Sequence, residues 1–94
     1  MYEAYLQELK DYLHVLHEDD DDNLLRQLER SHAYIKGMCG EFELDNVRGR
    51  ALVMDHARFA YNGQSDYFYA SYMPEINMFG FSLYEPEEDD DGTP

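Results

Sequence analysis

The chain is poor in covalent staples and in positive charge. Its 94 residues include one cysteine, Cys39, so no disulfide can form within it. Tryptophan is absent, and only three prolines and six glycines interrupt the sequence. No apolar stretch approaches the roughly 18 residues a membrane-spanning helix needs. Read as an N-terminus, Met1–Lys10 lacks the basic region followed by an apolar one that marks a signal peptide. A soluble protein of a reducing cytoplasm is the expectation. Lys and Arg number 7 against 21 Asp and Glu, a formal net charge of −14. Such a charge aids solubility but repels phosphate backbones, which argues against direct duplex binding.

What is present is acid, aromatic and leucine. Five acids form the run Glu18–Asp22, and six more lie in the last ten residues. Fourteen aromatics, nine of them Tyr, exceed what the core of one small domain requires, so some are expected to meet a partner. Leu6, Leu9, Leu13 and Leu16 fall at steps of 3, 4 and 3, a single helical stripe over Met1 to Val15 or Leu16. Tyr2, Tyr5 and Tyr12 widen it. Leu25, Leu28, His32 and Ile35 repeat those steps in a second helix over Asp21–Met38. Asp20 or Asp21 is placed to cap this helix, and Gly37 and Gly40 supply stop positions. The core is expected from Leu9, Leu13, Leu16, Leu25, Leu28 and Ile35.

Asp45 or Asn46 can cap a third helix over Val47–Tyr61, which Asn62-Gly63 ends. Its apolar set is read as Val47, Ala51 and Met54 with Leu52, then Arg58, Phe59 and Tyr61. A fourth helix fits Ser65–Met73. Pro74 predicts a kink or break there, and can start a further short turn to Met78. Phe79, Phe81 and Leu83 alternate with Gly80, Ser82 and Tyr84, the period of an extended segment that must pair with something. Residues 85–94 hold no apolar side chain and read as a flexible acidic tail. The fold class is therefore all-α, a small bundle of three to four helices over 1–78, with an extended arm over 79–84 and an acidic tail over 85–94.

Chemistry finds little purchase. Asp19, Asp21 and Asn23 match the first ligand positions of a calcium loop, but Leu24 stands where the sharp turn needs Gly and Arg30 where the bidentate Glu belongs. His14 and His17 could share a face, yet no spacing brings His32 or Cys39 to them as zinc ligands. His32 is expected as a hydrogen-bonded histidine at the core edge. Cys39 is the only nucleophile candidate, and between Met38 and Gly40 it reads as small packing material. No phosphate loop and no GxSxG motif occurs. The expectation is no enzyme, no cofactor and no metal.

The order of a leucine-rich helix (Leu9 to Leu16), an Asp-rich turn (Asp19 to Asp22) and Leu24, Leu25, Leu28, Tyr34 and Ile35 running into a Gly/Cys break resembles the small head–tail connector proteins of long-tailed bacteriophages. The resemblance continues through Val47–Tyr61 into YFYASYMPEINMFGFSLY and covers about four-fifths of the chain. It implies an all-α structural protein that forms a ring, usually of twelve copies, beneath the portal. Such a ring joins the portal to the next tail-side connector or stopper protein while DNA passes through without specific binding. It implies a place in the virion, and in the host cytoplasm during assembly, with no membrane. Within that reading Arg48, Arg50 and Arg58 are assigned to copy-to-copy contacts, and Phe79, Phe81, Leu83 and Tyr84 to an arm docking on the portal or a neighbour. Two alternatives remain: an acidic DNA mimic that inhibits a nucleic-acid-binding protein, and an antitoxin-like module that forms one tight heterodimer.

Overall fold

A computed structural model describes residues 2–84. The described residues form a small all-α bundle of four helices: α1 (Leu6–Leu13), α2 (Asp21–Cys39), α3 (Val47–Tyr61) and α4 (Phe68–Tyr84). Short 3-10 segments, Tyr2–Tyr5 and Ser65–Tyr67, lead into α1 and α4. The long α2 is the spine, and each of the other helices packs on it. The expected tail, residues 85–94, lies outside the described residues.

Helix α1 is shorter than its leucine stripe suggests. It ends at His14, in the left-handed region at φ 61°, where the backbone N–H groups bond back to Asp11 and Lys10. This reversal breaks the helical period and turns Val15 into the core. Leu16, expected there, is 94% exposed. Asp20 occupies the cap position of α2 without a side-chain cap bond. Asp21, in the first turn, instead sits 2.8 Å from the buried ammonium of Lys10, a close ion pair rather than an aligned hydrogen bond. Its register also differs by one from the expected stripe at its start, because Leu24 is buried and Leu25 only half-buried. Leu9, Leu28 and Ile35 are in the core as expected.

Helix α2 runs through Gly37 and stops at Gly40, whose φ of 113° suits glycine. The loop that follows sends Phe42 and Leu44 inward. Asn46 is the cap of α3, its side chain accepting from the Gly49 N–H at 3.1 Å. The inward face of α3 is Gly49, Leu52, Val53, Met54, His56 and Ala57. Val47, Ala51 and Tyr61, expected on the apolar set, are exposed. Gly49 is where the rings of Phe42 and Phe79 meet α3. An added Cβ there would lie 2.4 Å from Phe42 and 2.7 Å from Phe79.

The largest correction concerns the C-terminal third. No break occurs at Pro74 and no extended arm at 79–84; α4 is continuous to Tyr84 with Pro74 inside it. The alternation of Phe79, Phe81 and Leu83 also fits a helix, because Phe68, Tyr72, Ile76, Phe79 and Leu83 follow steps of 4, 4, 3 and 4. Phe68, Ile76 and Phe79 are buried along that line. Each such burial contributes about 1.5–3 kcal/mol. Together they outweigh the roughly 3 kcal/mol that proline costs inside a helix.

Candidate functional site

The inside of the bundle is wired by histidines and aromatic rings. His32 is buried, with Nε2 donating to the Phe42 carbonyl at 2.9 Å and Nδ1 paired with the Tyr2 hydroxyl at 2.9 Å. Edge contacts then run from Tyr2 to His32, His32 to Phe42 and Phe42 to Phe79. His56 is buried on α3 and its Nδ1 lies 2.8 Å from the Ser31 hydroxyl, to which Gln27 donates. Tyr34 stacks on the His56 ring and Phe68 meets it edge-on. Burial lowers the pKa of His56. Ser31 is fully buried, so its hydroxyl is not presented to a substrate. The adjacent groove, lined by Arg30, Tyr34, Ser65 and Tyr69, is wide and open.

A second polar cluster ties α1, α3 and α4 together. The Tyr12 hydroxyl donates to Asp55, whose carboxylate lies 3.9 Å from Arg58. Burial, and then the Asp55 carboxylate, raises the pKa of both Tyr12 and Tyr72. Arg58 also lies over the rings of Tyr12 and Phe59. Arg50 donates to the Leu44 carbonyl at 2.9 Å, approaches Glu8 at 3.4 Å and covers the Tyr5 ring. Two of the three arginines assigned to copy-to-copy contacts are thus engaged within the chain. Arg48 is the exposed one, at the mouth of a groove between α3 and α4.

The four residues assigned to a docking arm divide by helical face. Phe79 is 1% exposed and Leu83 half-buried, so both belong to the core side. Phe81 at 79% and Tyr84 at 85% point outward, joined by Met78 at 64% and by Met73. The methionines were not among the expected site residues. Their signal is the near absence of charge in α4, where Glu75 is the only ionisable carboxylate or base among seventeen residues. A helix apolar all round is normally buried, yet the outer side of α4 is open to solvent.

Two clefts flank this face. The cleft toward α3, about 400 Å³, is lined by Arg48, Ala51, Asp55, Glu75 and Met78. The cleft toward α2, about 310 Å³, is lined by Met38, Cys39, Gly80, Phe81 and Tyr84. Cys39 forms part of the second wall, with its Sγ 3.4 Å from the Ile76 carbonyl. Burial pushes its thiol pKa up, which leaves little thiolate for nucleophilic attack. Among the described residues no three His, Cys, Asp or Glu side chains converge as a metal site. No helix among them is long and apolar enough to cross a membrane. The surface with the clearest capacity to bind is therefore the outer face of α4 with its two clefts. Comparison of the chain with family models, curated proteins and solved structures finds no match.

Proposed function

We propose that the chain is a structural virion protein, a head–tail connector that forms a ring beneath the portal and joins it to tail-side proteins around the DNA exit channel. The observation that carries this reading is α4: a helix with one charged residue, packed on one side and open on the other. Exposed apolar surface of this kind marks a protein-binding face. In this reading Phe81, Tyr84 and Met78 dock on the portal or an adjacent copy. Arg48 is the arginine left for a copy-to-copy contact, and the chain performs no catalysis. The net charge of −14 suits a channel lining that gains nothing from phosphate contact. The protein then resides at the head–tail junction, and in the host cytoplasm during assembly.

The test is the mass of the purified protein in solution, alone and mixed with the portal of its parent phage. A ring, or a monomer that becomes a stoichiometric ring on the portal, is expected. A monomer that ignores the portal and captures a basic DNA-binding protein would replace this reading with the DNA mimic. The net charge favours that alternative, but the apolar face of α4 gives a phosphate mimic no use.

A further inference from the structure

We propose that the cleft between α2 and the last turns of α4 receives a cationic amphipathic helix of a partner protein, with large apolar side chains on one face and Lys or Arg along its edges. The inference rests on the reading of α4 as a docking face and adds the chemistry of what docks.

The shape comes first. Met38 and Cys39 form one wall of the cleft, Phe81 and Tyr84 the other, and Gly80 lies against Cys39 at its base. From Met73 to Tyr84 the outer side of α4 extends for about 16 Å, three helical turns. A helix laid in such a groove is read through apolar anchors at i, i+3, i+4 and i+7.

The charge selects the occupant. Residues 59–94 contain eight acids and no Lys, Arg or His. Lys36, near the end of α2, is 3.9 Å from Glu41, which is itself largely exposed, and neither lines the cleft. Arg48 stands on the other cleft, toward α3. Six acids follow Tyr84 directly in the sequence, so wherever those residues run, their charge is tethered to this end of the helix. The ten residues after Tyr84 contain no Leu, Ile, Val, Met, Phe, Tyr or Trp that could serve as an apolar anchor. A second copy docking here through its own α4 would bring another base-free segment against the first. A partner with basic edges gains both the apolar contact and the opposite charge, which speeds encounter and rejects acidic competitors.

The experiment uses the full chain and three synthetic 14-residue peptides: Leu and Lys at helical spacing, the same design with Glu in place of Lys, and a lysine-rich peptide without leucine. Titrations are followed by fluorescence anisotropy and by backbone amide NMR. The Leu/Lys peptide is expected to bind best and to shift amides at Met38, Gly80, Phe81 and Tyr84. The doubly substituted F81S/Y84S chain, altered only at exposed positions, is expected to bind it about tenfold or more weakly, the size of losing an aromatic anchor. Removing residues 85–94 is expected to flatten the salt dependence. Equal binding by F81S/Y84S, shifts gathered at Glu18–Asp22, or preference for the Glu peptide would each overturn the proposal. So would a concentration-dependent dimer that F81S/Y84S abolishes, which would make the face a self-interface. A portal complex that forms regardless of salt and of F81S/Y84S would overturn this inference while leaving the connector reading intact.

Discussion

Phe79 and Phe81 are two residues apart on α4, and their surroundings have nothing in common. Phe79 sits against Gly49 and the Phe42 ring, on a side of the helix where each ring touches another. Phe81 stands in solvent beside Met38 and Tyr84. The inner side builds the bundle, and the outer side has no role in it. Chemically similar residues on one helix therefore separate stability from binding, and substitutions should separate them too.

The largest effect is expected at Phe79. F79A removes a buried ring and should lower stability by about 3–5 kcal/mol, whereas F81A should change it by less than about 0.5 kcal/mol. Thermal unfolding of the two variants checks this. Equal losses would mean that the outer side is also core. Gly49 sharpens the same boundary from α3. Alanine is the better helix former by about 1 kcal/mol, yet its methyl group would collide with Phe42 and Phe79. G49A should therefore destabilise by about 1–3 kcal/mol, as measured by urea midpoint.

The arginines give a smaller contrast. R50A gives up a bond to the Leu44 carbonyl and should cost about 1.5–3 kcal/mol, while R48A should leave the melting temperature unchanged. If R48A prevents ring formation with the fold intact, the copy-to-copy role passes to Arg48 alone. The smallest effect belongs to His56. Burial lowers its folded pKa below the unfolded value, so the unfolded chain takes up the proton first. Stability should be full above about pH 6.5 and decline as pH falls from there toward the folded pKa. H56Q should show less of that decline between pH 7.5 and 5.5, followed by thermal melts at each pH.

The helical class and the bounds of α2 and α3 were legible because long amphipathic periods and the Asn46 cap are local signals. The face of α3 was also written in the chain, since Gly49, Leu52, Val53, His56 and Ala57 follow steps of 3, 1, 3 and 1. Val47 and Ala51, apolar but exposed, lie off that line and obscure it. His14 was not legible: a left-handed residue in the middle of a leucine stripe is set by how the chain must turn to bring Lys10 to Asp21. The last helix misled for a physical reason. Pro74 and the alternating aromatics are local features, and both yield to the burial of Phe68, Ile76 and Phe79, which depends on partners far away in sequence. Of the expected docking residues, Phe81 and Tyr84 kept an outward place because two steps along a helix also change its face.

Pro74 carries one more consequence, and it is kinetic. It leaves six helical residues before it and ten after it in α4. Neither piece reaches the 12–15 residues at which an isolated helix begins to persist in water. The expectation is that the segment coils only against an assembled α2 and α3, with its inner contacts forming after the folding barrier. Weakening them should then quicken unfolding while hardly slowing folding. Stopped-flow chevrons for a mild change such as Ile76→Val should show it: an unfolding arm displaced to faster rates with its slope unchanged, and a folding arm that overlays the parent.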